Sequence, residues 1–183
     1  MCTFIFSLHT MSNQYYDYSV PLFIKQLGGL KNVLTKAAEL AASKEGGEKA
    51  VLSHALAPDM FPFVRQVQIA CDNAKGASAR LAQVEIPKFD DAETTIAELE
   101  ARIDATVAFL NTLTPEQFEN APSVKVVLPY FPKKYMKGDA YLKHYALPNF
   151  FFHVTTAYDI VRSLGGALGK GDYMNGLPLI NED

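Results

Sequence analysis

The sequence predicts an all-α protein, an antiparallel four-helix bundle with a small β-hairpin inserted before the last helix. Four long segments carry apolar residues at three- and four-residue intervals, the spacing of one apolar helix face. One stretch, residues 123–138, lacks that period and is rich in β-branched and aromatic residues. The length of 183 residues suits one domain with a substantial core.

The first helix is predicted over residues 18–43, where Ser19 and Pro21 suit a helix start. Gly28 and Gly29 lower its helix propensity and indicate either a close approach by another helix or a bend. Gly46 and Gly47 lie in a short charged stretch that we interpret as a surface loop.

The second helix is predicted from Met60 to Leu81, with Asp59 as its cap and Pro62 in its first turn. The third helix keeps strict helical spacing from Ile96 to about Leu113. A further single turn is expected just beyond it, around residues 114–116.

The last helix follows the predicted hairpin. Asp139 is expected to cap it, Pro148 to kink or break it, and Gly165 with Gly166 to end it. The remaining tail is polar and rich in glycine, so we expect it to lie over the surface.

We divide the chain into a peripheral N-terminal extension (1–14), a bundle domain (15–173) and a tail (174–183). Either Met1 or Met11 is the start of translation, and the first ten residues lack the features of a signal peptide. No apolar run approaches the roughly 18 residues of a membrane span. A soluble, cytoplasmic protein without a membrane partner is therefore predicted.

Composition excludes several classes of function. Lys and Arg number 17 against 20 Asp and Glu, so no surplus of positive charge favours nucleic acid as a partner. Cys2 and Cys71 support neither a disulfide framework nor a zinc spacing. The sequence also lacks GxGxxG, GxxxxGK[ST], GxSxG, HExxH and CxxC motifs, and we predict no cofactor.

The strongest candidate for chemistry is His153, four residues after Asn149 and on the same helix face, with Thr156 further round. In apolar surroundings its imidazole tends toward the neutral form, which can act as an acceptor, a general base or a metal ligand. The alternative is a core histidine that bonds a backbone carbonyl or a helix neighbour. We predict His153 and Asn149 as the catalytic pair.

A second polar cluster lies at the start of the second helix. Arg65 and Asp72 are two turns apart on one face, whereas Gln66 and Gln68 point in different directions, so at most one glutamine shares a given pocket. The residues predicted to bind a ligand are Asp59, Arg65, Gln66, Asp72, Thr156 and Tyr158. The aromatic residues predicted to line the pocket mouth are Tyr130, Phe131, Tyr135, Tyr141 and Tyr145.

Two long blocks, APDMFPFVRQVQIACDNAKGASARL and LPNFFFHVTTAYDIVR followed by LGKGDY, resemble the signatures of an uncharacterised microbial family of domains of unknown function. The opening YDYSVPLFIKQLGGLKNVL is similar too, so the resemblance covers Tyr15 to Tyr173. That family lies in the DinB/YfiT-like superfamily. The resemblance implies an antiparallel four-helix bundle, often dimeric, in many members with a metal held by three histidines, and in some with thiol-dependent transferase or isomerase activity.

The sequence departs from that metal motif. The superfamily pattern has a histidine on the second helix and an HxxxH-type pair on the last, where this chain has Asn149 and His153, then Ala157. Neither His54 nor His144 is well placed to complete a triad, so we predict no tightly bound metal.

Three hypotheses for function follow. In the first, a metal-free pocket binds an apolar small molecule and catalyses an isomerisation or cyclisation, with His153 as general base or hydrogen-bond donor. In the second, a non-catalytic bundle dimerises or binds a partner through small residues such as Ala74, Gly76 and Ala77. The third is a DinB-like metal-dependent transferase.

Overall fold

The computed structural model describes residues 13–182, and in this range it is all-α apart from one two-stranded hairpin. Four long helices form the bundle, which confirms the predicted fold class. Three are α2 (Val20–Ser43), α4 (Phe63–Ala82) and α5 (Ile96–Leu110). The fourth is α7 (Leu147–Ser163), which packs most extensively against α4.

Short elements connect and cover the long helices. The helical ones are α1 (Gln14–Asp17), α3 (Gly47–Leu52), α6 (Gly138–Tyr141) and α8 (Lys170–Met174). Two 3₁₀ turns, Pro115–Phe118 and Ala121–Ser123, precede the hairpin. Its antiparallel strands are β1 (Lys125–Val126) and β2 (Met136–Lys137), with Val126 opposite Met136.

The core lies between the apolar faces of the four long helices. Phe23 on α2 and Phe150 on α7 are fully buried and pack edge to face with ring centroids 4.7 Å apart. Phe63, Leu99 and Ile103 close the same core from α4 and α5. This packing holds α4 and α7 side by side, which positions the polar residues described below.

The glycine pair of α2, Gly28 and Gly29, allows the C-terminal helix α8 to pack closely against α2. Of the two predicted alternatives, a close approach by another helix or a bend, the first is observed. A Cβ at Gly29 would lie 2.4 Å from the carbonyl oxygen of Tyr173, and one at Gly28 would lie 2.3 Å from Nδ2 of Asn175. Gln26 donates to the same Tyr173 carbonyl at 2.9 Å. The segment Lys170–Met174 thus packs over α2 as a short helix.

The last helix is distorted ahead of Pro148. Residues 142–146 form a π-helical turn between α6 and α7, and Pro148 occupies the first turn of α7. Since proline has no N–H, its position there avoids the loss of an internal helical hydrogen bond. The predicted disruption is confirmed, although it takes the form of a π-turn rather than a break.

Several predicted boundaries are wrong. Pro62, not Asp59, precedes α4, whose cap position has no side-chain hydrogen bond. The charged stretch at Gly46 and Gly47 starts α3 instead of forming only a loop, since Gly46 takes the left-handed conformation at φ 83°. Asp139 lies inside the first turn of α6 and bonds Tyr15.

The predicted N-terminal extension falls almost wholly on residues 1–12, outside the described part of the chain. Asn13 caps α1 and donates to the carbonyl of Pro115 at 3.2 Å.

Candidate functional site

A cleft of about 650 Å³ lies along the seam between α4 and the last helix. Hairpin-loop residues form its rim, where Tyr130 is 77% exposed and Phe131 is 45% exposed. Its lining combines seven aromatic or aliphatic side chains with six polar or charged ones, so it is more polar than most small-molecule sites. The lining residues are Phe61, Arg65, Ile69, Asp72, Asn73, Arg80, Leu128, Tyr130, Phe131, Tyr141, Tyr145, Asn149 and His153.

Three polar pairs cross the seam at regular spacing, and we call them the polar ladder. Gln66 bonds His153 at 2.7 Å, Asn73 bonds Asn149 at 2.9 Å, and Arg80 bonds Tyr141 at 3.4 Å. On α4 the members are seven residues apart, two helical turns, so they lie on one face. On the last helix the members fall at multiples of four residues.

The tautomer of His153 follows from its partner. Nε2 of Gln66 donates to the carbonyl of Phe61 at 2.8 Å, which turns Oε1 of Gln66 toward Nδ1 of His153 at 2.7 Å. Because that oxygen can only accept, Nδ1 carries the proton and Nε2 keeps its lone pair. The nitrogen that remains free to meet a ligand is therefore an acceptor, which favours the predicted role of general base over that of hydrogen-bond donor to the ligand.

His153 is 8% exposed, and burial lowers its pKa from 6.5 to about 4, with a smaller contribution from the charge of Arg65. Burial acts in this direction because it disfavours the charged imidazolium. The ring is thus neutral at physiological pH, as the sequence predicted.

In the middle pair of the polar ladder, Asn73 and Asn149, one amide N–H₂ group has no acceptor among residues 13–182. Nδ2 of Asn149 donates to Oδ1 of Asn73, while Nδ2 of Asn73 is buried and makes no hydrogen bond with residues 13–182. A buried amide N–H₂ without an acceptor is costly, and such groups in native proteins commonly have a bound partner. A ligand acceptor in the cleft would satisfy it.

The third pair places a guanidinium beside stacked rings. Tyr141 and Tyr145 stack with centroids 5.8 Å apart, and Phe131 meets Tyr145 edge to face. Burial raises the pKa of Tyr141, so it remains a neutral phenol. Gly76 leaves room for Arg80, since a Cβ there would lie 2.6 Å from its Nη1.

The predicted charged residues Arg65 and Asp72 also line the cleft, but each is paired elsewhere. Arg65 pairs with Asp91, and Asp72 bonds both Lys75 and Arg102 at 2.9 Å. Arg102 is 4% exposed and binds the loop between α4 and α5 through several carboxylates. Arg65 and Asp72 therefore line the cleft with their charges already paired.

The structure brings together five of the eight predicted site residues: His153, Asn149, Gln66, Arg65 and Asp72. As predicted, the two glutamines diverge, because Gln68 bonds Glu93 instead.

Three predicted site residues and one predicted rim residue lie elsewhere. Asp59 is exposed and does not line the cleft. Thr156 bonds the carbonyl of Phe152 within its own helix, and Tyr158 packs on Tyr173 of α8. Among the aromatics, Tyr135 faces a neighbouring apolar groove. We correct their assignment to this site: Thr156 and Tyr158 lie on other faces of α7, Asp59 lies in the loop before α4, and Tyr135 lies in the hairpin loop.

Two residues of the ladder, Asn73 and Arg80, were missed. The available signal was the seven-residue spacing of Gln66, Asn73 and Arg80, which predicts one shared helix face. That signal alone does not show which face meets the last helix.

The small residues proposed for a dimer contact are already used inside the chain. Ala74 and Ala77 are 0% exposed, and Gly76 is buried beneath Arg80. The prediction of dimerisation through these residues is therefore wrong. A dimer through another surface stays a prediction.

Comparison with known proteins places this geometry in a family. The sequence profile of a domain of unknown function, DUF1993, matches residues 15–174. The chain belongs to the DUF1993 family. A crystal structure described as a DinB family member from Shewanella denitrificans matches with a TM-score of 0.88 and 40% identity, covering 92% of this chain and 96% of that chain. Among curated proteins none matches.

The DUF1993 chain is thus DinB-like in fold, and the three-histidine metal of that superfamily can be tested against its residues. Within residues 13–182 no three His, Cys, Asp or Glu side chains cluster as a metal site. His153 instead has Nδ1 bonded to the amide of Gln66, and Asn149 lines the cleft one helical turn away. One imidazole with amides is a poor donor set for zinc, so the residues do not fit the metal.

We expect protein purified without chelator to contain far less than one transition metal per chain by elemental analysis. Added zinc or nickel should barely change the melting temperature, whereas a site filled at a hundred times its dissociation constant adds about 2.7 kcal/mol. Stoichiometric metal that disappears in His153→Ala would contradict this expectation, and His54→Ala serves as the comparison.

Two further findings bear on other classes of function. Cys71 is buried and its pKa is raised to about 12 by burial, so its thiol is not a nucleophile at neutral pH. Within residues 13–182, no helix is both long and apolar enough to cross a bilayer.

Proposed function

We propose that this DUF1993 protein binds an organic small molecule in the cleft between α4 and the last helix, with Nε2 of His153 as the central acceptor. The observation that carries the proposal is the chain of hydrogen bonds from Phe61 through Gln66 to Nδ1 of His153. It fixes both the tautomer and the orientation of a buried imidazole whose other nitrogen has no hydrogen-bond partner among residues 13–182. A histidine that only fills a core does not need an adjacent cleft.

The associated chemistry is a metal-independent isomerisation or cyclisation. Nε2 takes a proton from an acidic C–H or O–H of the bound molecule and returns it to another atom, so no net proton or electron is required. The pKa of about 4 makes His153 a weak base in the empty cleft. An anionic substrate would raise that pKa by stabilising the imidazolium, and proton abstraction would then be coupled to binding.

The unused donor of Asn73 supports the same site. Asn73 lines the cleft next to Asn149, and its buried Nδ2 has no hydrogen-bond partner among residues 13–182. An oxygen of the substrate that gains negative charge during proton transfer would be stabilised by that N–H₂ group. Base and oxyanion donor would then act on one molecule.

The test is a thermal-shift screen of the full chain against a library of small organic acids, ketones and phenols. We expect the ligands that stabilise the wild type to lose at least tenfold in affinity in His153→Ala. His144→Ala is the matched control, because His144 is exposed on the same helical segment and lies outside the cleft. Each shift is measured against the variant's own unliganded melting temperature, which removes differences in stability.

Ligand-induced stabilisation that is equal in His153→Ala and wild type would overturn the site assignment. Binding that depends on His153 without any turnover of the ligand would retain the binding function and remove the catalytic part of the proposal.

A further inference from the structure

The cleft contains one cationic group whose charge is not neutralised. Arg65 is paired with Asp91, and Asp72 with Lys75 and Arg102. Arg80 has no carboxylate within ion-pair distance among residues 13–182, and its recorded hydrogen bond is the 3.4 Å contact with the hydroxyl of Tyr141. A single uncompensated guanidinium matches a single negative charge.

The position of that guanidinium is set by the helix beneath it. Arg80 folds back over Gly76, where a side chain would come within 2.6 Å of Nη1. This brings the charge from the end of α4 toward the aromatic wall formed by Tyr141, Tyr145 and Phe131. Arginine presents paired N–H groups in one plane, which matches the two oxygens of a carboxylate.

We propose that the substrate of this cleft is an elongated aryl carboxylate, with its carboxylate on Arg80 and its rings against Tyr141 and Tyr145. This inference rests on the proposed function, because it names the class of molecule that the same cleft binds. Arg80 is the specificity residue and does not take part in proton transfer.

The length of the ligand follows from the helix rise. Gly76, beside the guanidinium, is ten residues from Gln66, the partner of His153, which corresponds to about 15 Å along α4. A molecule that reaches both Arg80 and His153 must therefore carry more than one ring or an equivalent chain. Asn73 and Asn149 lie between the two ends, where they can bond a polar atom in the middle of the ligand.

The probes are 4′-hydroxybiphenyl-4-carboxylate and the corresponding carboxamide, which differ in charge but hardly in shape. We expect the wild type to bind the acid at least tenfold more tightly than the amide, by isothermal titration calorimetry at neutral pH. Tenfold corresponds to about 1.4 kcal/mol. Arg80→Gln should abolish this preference by weakening the acid alone.

Two further variants separate the charge of Arg80 from its position. Gly76→Ala keeps the guanidinium of Arg80 but displaces it. Because only the end of a flexible side chain has to move, the fold should be retained. This variant should also bind the acid no more tightly than the amide. Arg162→Gln is the matched control, since Arg162 bonds the carbonyl of Gly166 and lies outside the cleft. It should leave both affinities unchanged.

Equal affinity for acid and amide in the wild type, or no binding of either probe, overturns the inference. Loss of acid preference in Arg162→Gln as large as in Arg80→Gln overturns it too. Failure of the proposed function gives a different pattern. The wild type still binds the acid more tightly than Arg80→Gln does, but His153→Ala binds both probes with the affinity of the wild type.

Discussion

Arg102→Met is expected to lower the free energy of unfolding by about 3 kcal/mol, a fall in melting temperature of about 6–12 °C for a domain of this size. Arg102 is 4% exposed and donates to Asp72, Asp91 and Glu93 at 2.8–2.9 Å. Removal of the cation leaves Glu93 without a cationic partner, while Asp72 and Asp91 keep only Lys75 and Arg65 respectively. The expected loss is at the lower end for buried pairs because Asp72 and Asp91 are partly exposed.

The matched control is Lys31→Met, which breaks the exposed pair between Lys31 and Asp104 of α5. Exposed pairs contribute less than about 1 kcal/mol, so this variant should melt close to the wild type. Both are measured by urea and thermal unfolding. Equal destabilisation of the two variants would show that the Arg102 network contributes no more than a surface pair.

The same network predicts that the free energy of unfolding falls at acid pH. Burial by itself would raise the pKa of Asp91 and of Glu93, but other interactions outweigh it and lower both pKa values. For Asp91 these are hydrogen bonds and charge from Arg65 and Arg102; for Glu93 they are hydrogen bonds from Arg102 and Gln68 and the charge of Arg102. Carboxylates with a lowered folded-state pKa stabilise the protein above their unfolded pKa near 4, and that contribution is lost as the pH falls through the folded value. In Arg102→Met this loss below pH 4 should be smaller.

The buried imidazole of His153 predicts a second decline in stability as the pH falls, beginning at a higher pH than the decline caused by the carboxylates. Its pKa is about 4 in the folded chain against 6.5 for the free side chain, so the unfolded state binds a proton first as the pH falls. Stability is therefore complete above about pH 6.5 and declines until about pH 4. We expect a decline of about 2 kcal/mol once access of solvent from the cleft is allowed for.

Urea unfolding across this pH range tests the assignment. His153→Gln, which has no titrating group, should lack the decline, although its stability at neutral pH will also differ. His144→Gln should retain the decline. A wild-type curve that is flat between pH 6.5 and 4 would mean that the imidazole is not held in its neutral form.

Much of the fold was predictable because it depends on local patterns. The apolar stripes of α2, α4 and α5 and the irregular stretch before the last helix determined the fold class. The glycine pair Gly28 and Gly29 indicated a close approach, but the sequence could not say which element approaches. Boundaries were less predictable, as the start of α4 shows, because cap geometry depends on a few backbone angles.

The candidate site was predictable only in its central residue. His153 and Asn149 share a helix turn, so their proximity follows from spacing. The contacts of His153 with Gln66 and of Asn149 with Asn73 join residues 87 and 76 positions apart. Such pairs depend on the rotation of α4 about its axis, which the packing of the whole core decides.

The sequence by itself determined the helical class, the hairpin, the distortion before Pro148 and a neutral histidine on an apolar helix. Only the tertiary structure decided that Gln66 holds Nδ1 of that histidine, and that Arg80 in the cleft has no counter-charge among the described residues 13–182. The physical reason is that periodicity defines which residues share a face of one helix, whereas a site between helices requires the register of two faces against each other.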